Sequence, residues 1–351
     1  MIIAECFTKS YLEKIKSEFP VVDPTIFEKT IYAFELLVSL VEENLDFIFK
    51  GGTSLLLLIP QPKRLSIDID ISVNISKEKL ENKLEQIKKK GKFFDWVEDP
   101  RTENNIPKKH YKLFFNSVIN PGTKSYILLD TLFENNPYPK IFRKEINTDL
   151  VLLDSKVKIN LPTINSIIGD KLTAFAPNTT GIQFGIDKEM QINKQLFDIG
   201  ELFNFADDID EIRESFNNFV RIQSQYLNCN FSIDEVLNDI YKISFLISQI
   251  NLKGGVSNEI TELFLKGMKA LRSHLLRGVY NLEETKIYSS RVAFLVSSLK
   301  SDINFNQHKH YEILRINNNS LTGEFKVLER LRKILPEAYY YWQTIHNEIK
   351  E

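Results

Sequence analysis

Cysteine is nearly missing from this sequence. Only Cys6 and Cys229 occur among 351 residues, far apart and outside any CxxC or Cys/His spacing. That excludes a disulfide framework and a structural zinc site, and it fits a reducing compartment. Long apolar runs are also absent: the longest, Leu55 to Pro60, falls far short of the roughly twenty residues that span a bilayer. The opening Met1-Ile2-Ile3-Ala4-Glu5 lacks a basic region followed by an apolar stretch and a small-residue cleavage site, so no signal peptide is expected. A cytoplasmic protein with no membrane partner is the expectation. Nor is there an excess of charge of one sign. With 45 basic and 47 acidic residues the net charge is -2, which supplies no global field for a polyanion, so any nucleic-acid contact must come from local patches. No internal repeat and no low-complexity linker is found. What is present, 43% hydrophobic residues over 351 positions, suffices for two domains or for one large domain with an extension.

Along the chain, Ser10 to Phe19 has helical spacing, and Asp23-Pro24 reads as N-cap and first-turn proline of a helix running to about Asn44. The period then changes. Phe47 to Lys50 reads as a short buried strand, Gly51-Gly52 breaks it, and Thr53-Ser54 opens an apolar helix that Pro60 and Pro62 end. Ser66 to Val73 alternates polar and apolar residues as a half-buried strand does. Ser76 caps a lysine- and glutamate-rich helix, and strands are expected at Phe93–Val97, Tyr111–Asn116 and Tyr126–Phe133, the last two joined by a turn at Asn120-Pro121-Gly122. A final extended piece covers Leu150 to Leu161. Beyond it the pattern is helical, at Thr163–Ala176, Lys188–Phe205 and onward. The expected division is therefore residues 1–161 as a mixed α/β half and 162–351 as a helical half.

The chemistry-bearing segment lies in the first half. In Ser66-Ile67-Asp68-Ile69-Asp70-Ile71-Ser72, the two-residue strand period puts Asp68 and Asp70 on one face and the isoleucines on the other. Two such carboxylates can share a divalent ion. Mg²⁺ favours a few carboxylates plus phosphate oxygens, which leaves room for a nucleotide. Taken alone, the pair fits an amphipathic edge strand with solvated acids as well. Upstream, Gly51-Gly52-Thr53-Ser54 lies between a strand and a helix, where glycines allow close approach, helix-start N–H groups bind phosphate oxygens and a hydroxyl adds a donor. An ordinary tight turn has the same residue types, but both elements together in one strand-helix-strand unit point to a phosphate cradle beside a metal pair.

Gly52-Thr53-Ser54-Leu55 followed by Arg64-Leu65-Ser66-Ile67-Asp68-Ile69-Asp70 resembles the first signature of nucleotidyltransferase-fold proteins, in particular the AbiEii/AbiGii toxins, which are related to the MenT toxins. Leu65 stands where members carry an aromatic residue. A second signature, Ile164 to Phe175, resembles the family helix with an essential lysine, here Lys171 after Asp170. A third, Lys194-Gln195-Leu196-Phe197-Asp198, resembles the family's Lys-Asp-x-Tyr-Asp helix, with Gln195 in the place of an acid. The resemblance implies an α+β fold, a mixed sheet with flanking helices followed by a C-terminal helical domain that contributes Lys171 and Asp198 to the cleft. It implies catalytic Asp68, Asp70, Lys171 and Asp198. Metal, Mg²⁺ or Mn²⁺, would be held by Asp68, Asp70 and, as the acid in an otherwise apolar strand, Asp130, although an edge-strand position explains Asp130 as well. Nucleotide would be bound by Gly51, Gly52, Thr53, Ser54, Arg64, Ser66 and Lys171, although a surface salt bridge explains Arg64 equally well.

The implied activity is transfer of a nucleoside monophosphate from a triphosphate to RNA, such as a tRNA 3′ end, or to protein. The implied context is a type IV toxin of abortive phage defence with a cognate antitoxin. Transfer of the γ-phosphate to a protein and a non-catalytic nucleotide-binding module are the alternatives. Outside the signatures, the loop Ala176 to Ile182 either covers the nucleotide or joins two helices. His110, His274, His308, His310 and His346 lack a ligand-spaced partner and read as structural or surface residues. Lys88-Lys89-Lys90 with Lys92, and Arg330, Arg332 and Lys333 near Tyr339-Tyr340-Tyr341, are candidate polynucleotide surfaces, or else solvated helix faces.

Overall fold

Asp23 accepts a hydrogen bond from the Thr25 N–H and Pro24 takes the first helical position, so α2 (Pro24–Glu42) starts where its residue types favour a start. Before it runs α1 (Lys9–Glu18). The computed structural model describes residues 1–20, 22–100, 106–301 and 303–350. Two compact units form: one comprises Met1–Thr163 with Ser273–Gly278, the other Ile164–Arg272 with Val279–Glu351.

The first unit is built on a seven-stranded mixed sheet. Its strands are β1 (Ile48–Lys50), β2 (Ile69–Val73), β3 (Asp95–Glu98), β4 (Lys108–Asn116), β5 (Lys124–Phe133), β6 (Ile141–Glu145) and β7 (Lys158–Pro162), in the spatial order β3-β4-β5-β2-β1-β7-β6. β2 runs parallel to β5 and β1 parallel to β7, while the other pairs are antiparallel. One face is dry: Tyr111, Leu113 and Phe115 of β4 and Ile127 and Leu129 of β5 are buried, and α2 packs there with Tyr32 stacked 3.7 Å from Phe115. α2 also buries two acids, Glu28, which accepts from Ser117 Oγ and Val118 N, and Glu35, which accepts from Ile2 N. Short α3 (Gly51–Leu58) links β1 to β2, and α4 (Lys77–Lys89), N-capped by Ser76, follows β2.

Some boundaries differ from the sequence expectation. β2 is shorter than Ser66–Val73, because its neighbour β1 has only three residues to offer and the preceding backbone finds other partners. The Leu65 N–H donates to His274 O, and Lys63 O accepts from Leu276 and Arg277. Only β7 and the isolated bridge Ile2↔Leu153 form within the extended piece expected at Leu150–Leu161. β6 is a strand that the sequence pattern does not predict.

The second unit is helical. It contains α5 (Ile164–Ala174), α6 (Glu189–Leu202), α7 (Ile209–Tyr226), α8 (Ile233–Gln249), α9 (Glu259–Leu271), α10 (Leu282–Lys300), α11 (Phe305–His308), α12 (Leu331–Ile334) and α13 (Pro336–Lys350). α5 packs on α7, α6 on α9 and α8 on α10. Aromatic clusters fill the core, Phe203, Phe294, Phe305 and Tyr341 in one and Tyr241, Phe245, Phe325 and Trp342 in another. Among the described residues no helix is long and apolar enough to cross a membrane.

Candidate active site

Strand register assembles the site. Lys50 pairs with Asp70, Asp70 with Asp130, and Asp130 with His110. Paired residues point to the same side, so these four form one row across β1, β2, β5 and β4 on the sheet face opposite the dry one, neighbours about 4.8 Å apart. Asp68 precedes the regular strand, and its carbonyl accepts from Thr53 Oγ1 at 2.5 Å.

The glycine turn abuts this row. Gly51 has φ +75°, a conformation other residues adopt at a cost, and a Cβ there would lie 2.1 Å from Asp70 Oδ2. At Gly52 a Cβ would meet the Arg64 guanidinium at 2.7 Å and Ser66 Oγ at 3.0 Å. The turn therefore touches Asp70 on one side and Arg64 with Ser66 on the other. Arg64 is buried rather than at the surface, and donates to Leu65 O. No side chain caps the first turn of α3, which leaves its N–H groups to an anion.

Thr53 and Ser54 depart from expectation: both are fully buried, and their hydroxyls donate to Asp68 O and Gly51 O. They fix the shape of the cradle instead of presenting donors to a ligand.

The two paired acids are driven in opposite directions. Burial pushes the Asp70 carboxyl above its ordinary range; Lys108 opposes this, while Asp130 and Asp68 add to it. Burial also acts upward on Asp130, but Lys108 and His110 outweigh it and hold this carboxyl below its usual value. Lys108 Nζ lies 2.5 Å from Asp130 Oδ2, and His110 Nδ1 lies 2.6 Å from Oδ1. Asp130, expected as a third metal ligand, is thus a carboxylate already engaged by two bases. Among the described residues no three His, Cys, Asp or Glu side chains come together as a metal cluster. The all-oxygen pair Asp68 and Asp70 beside a cradle that only a glycine permits is still a donor set suited to Mg²⁺, which takes its remaining ligands from phosphate and water.

His110, Lys108 and Lys50 are the residues sequence reasoning missed. Lys50 is buried, 3.6 Å from Glu134. Along the sequence His110 has no carboxylate at ligand spacing; its partner sits twenty positions later, across a strand pair.

In the second unit Lys171 and Asp198 are both buried, with Lys171 Nζ 2.6 Å from Asp198 Oδ2 and 3.5 Å from Gln195 Oε1. α5 and α6 supply the two sides of this pair. Gln195, which the family signature reads as replacing an acid, reaches the lysine. The 176–182 loop is tied down, since Asn178 and Thr179 donate three hydrogen bonds to Asp239. Its polar groups serve the join between helices.

Both polynucleotide candidates need correction. Tyr339, Tyr340 and Tyr341 are core residues, at most 2% exposed, and stack on nothing from solvent. Lys88 pairs with Asp95, Lys90 with Glu42 and Glu43, and Lys92 lies over the Phe7 ring.

The sequence matches the family described as nucleotidyl transferase AbiEii toxin, type IV TA system, over residues 35–280. The chain belongs to the AbiEii nucleotidyltransferase toxin family. Membership makes it a nucleotidyltransferase of the toxin–antitoxin kind. MenT4, a nucleotidyltransferase toxin from Mycobacterium tuberculosis H37Rv, is 11% identical, covers 97% of this chain and 99% of its own, and superimposes with a TM-score of 0.54. It has the same fold as this AbiEii protein, a mixed sheet with flanking helices followed by helices. JHP933 from Helicobacter pylori matches with 16% identity over 80% of this chain and 96% of its own, at a TM-score of 0.46. No curated protein matches the sequence.

Proposed function

We propose that this AbiEii protein is a Mg²⁺-dependent nucleotidyltransferase that moves a nucleoside monophosphate from a triphosphate to an RNA or protein acceptor, as the toxin partner of a cognate antitoxin. The observation that carries the proposal is the contact of Gly51 with Asp70, which puts a helix start able to bind phosphate against a carboxylate able to bind metal. In this reading Asp68 and Asp70 hold Mg²⁺, which when bound offsets phosphate charge and aligns the triphosphate. The Gly51 and Gly52 backbone, Arg64 and Ser66 bind phosphate oxygens, with Thr53 and Ser54 bracing the turn. Lys171, oriented by Asp198 and Gln195, neutralises charge that builds up as the α-phosphorus is attacked by an acceptor hydroxyl and pyrophosphate leaves. In the same reading His110, held by Asp130, takes the proton of that hydroxyl.

Incubation with α- and γ-labelled triphosphates, Mg²⁺ and either total RNA or cell extract tests the proposal. Label from the α-position should appear in an acceptor and disappear with Asp70→Asn. Acceptor labelled only from the γ-position would replace the reading with phosphotransfer.

A further inference from the structure

We propose that the open face of the sheet, beside the acidic row, is a stacking platform for a single-stranded nucleic acid; the inference rests on the transferase reading and names its acceptor. Along β5, residues 126, 128 and 130 share one face, and their partners on β4 are Phe114, Lys112 and His110. Counting back from Asp130 and His110, a row of Leu128 and Lys112 comes first and a row of Tyr126 and Phe114 second. The aromatic row thus lies about 13 Å along the same face from the acids, near enough for one strand to touch both.

Tyr126 is 39% exposed. Its ring lies 6.0 Å from Phe114 at 65°, and Phe94 continues the series 6.2 Å beyond. The rings are splayed, with Tyr126 exposed and Phe114 and Phe94 half-buried behind it.

Ammonium groups stand over these rings. Lys29 and Lys112 lie 5.1 and 5.3 Å from the Tyr126 centroid, and Lys124 lies 5.4 Å from that of Phe94. Asp99 holds Lys112 at 3.0 Å, and Asp95 holds Lys88 at 2.9 Å with Lys124 nearby. With Lys88 and Asp95 already paired, Lys29, Lys112 and Lys124 stand at the rings against Asp99, a local positive excess in a chain of net charge -2. A solvent-facing ring flanked by cations, on a half-buried aromatic row, suits a flexible polyanion with π-faces. A duplex would find no groove-sized feature in such a sheet face, whereas unstacked bases would.

Fluorescence anisotropy of a fluorescein-labelled twelve-nucleotide oligoribonucleotide, with the full chain and no triphosphate, tests the platform. Tyr126→Ala should weaken binding about tenfold, the usual value of one base–aromatic stack, and Tyr126→Phe should restore it. Lys124→Gln should lower the slope of log affinity against log salt by about one. Native affinity in Tyr126→Ala, or an unchanged salt slope in Lys124→Gln, overturns the proposal; the lysine variant decides if the alanine variant fails to fold. Tighter binding of a duplex, or a photo-crosslinker at position 126 that captures only polypeptide, overturns it too. Oligonucleotide binding without nucleotide transfer to any acceptor would instead refute the transferase reading and leave the platform standing.

Discussion

Replacing Gly51 by alanine isolates the geometry on which the site depends. At φ +75° an alanine costs about 1–2 kcal/mol from backbone conformation alone, or roughly 2–8 °C of melting temperature for a unit of this size. The added methyl would sit 2.1 Å from Asp70 Oδ2 and 2.9 Å from its Cβ, against the 3.4 Å of ordinary contact. Rotation of the carboxylate cannot relieve the second clash, so β2 must shift by a few tenths of an ångström and the oxygen by about 1 Å. Misplacement of that size costs about a hundredfold in rate. Gly91 supplies the control: it has φ +87°, and a methyl added there would meet nothing within 4 Å, so Gly91→Ala carries the backbone penalty without the contact. Thermal melts and steady-state transfer assays of both variants should show the larger melting shift in Gly51→Ala, and a kcat/KM loss only there. Equal activities, within about threefold, would refute the argument that the turn and Asp70 work as one.

Asp68→Asn and Asp70→Asn should each weaken Mn²⁺ binding, read by water-proton relaxation, by roughly a hundredfold or more, and EDTA should stop transfer until Mg²⁺ is restored. Lys171→Met breaks a buried ion pair and should cost about 3–5 kcal/mol, while Lys171→Met with Asp198→Leu should recover most of it yet stay inactive; a double variant that transfers nucleotide would remove Lys171 from the chemistry. Burial raises the Glu35 carboxyl from 4.5 to about 7, so the folded chain keeps a proton that the unfolded chain releases. Stability should therefore fall by about 3 kcal/mol as pH rises between those values and stay level above. Glu35→Gln should flatten that part of the urea-midpoint profile, and an unchanged slope would show that Glu35 does not titrate there.

Local signals are legible wherever a residue's own neighbours decide its conformation. The caps at Asp23 and Ser76, the break at Gly51 and the alternation around Asp70 are of this kind. The family signatures add Lys171 and Asp198, whose positions on two separate helices no spacing rule connects. What stays hidden depends on pairing across the chain. Asp130 meets Lys108 and His110 only through the register of β4 and β5, and nothing in either strand alone announces it. β6 reads Ile-Phe-Arg-Lys-Glu without alternation because it is an edge strand with its side chains mostly exposed. Tyr339 to Tyr341 resemble a surface feature in sequence because consecutive aromatics cannot share one helical face. α13 is enclosed on several sides, and all three are buried. Thr53 and Ser54 resemble ligand donors because a sequence shows a hydroxyl but not its acceptor.

The short stretch Ser273–Gly278 belongs to the first unit, where Leu275 bridges Arg64 and the 274–277 backbone bonds to Lys63 and Leu65. These bonds fasten the segment that leads into Asp68 to residues more than two hundred positions downstream. During synthesis, at ~5–20 residues per second, on the order of ten seconds separate the emergence of Thr163 from that of Gly278. For that interval the nascent chain lacks the segment that clasps the lead-in to its acids, so that part of the first unit can close only once most of the chain has been made.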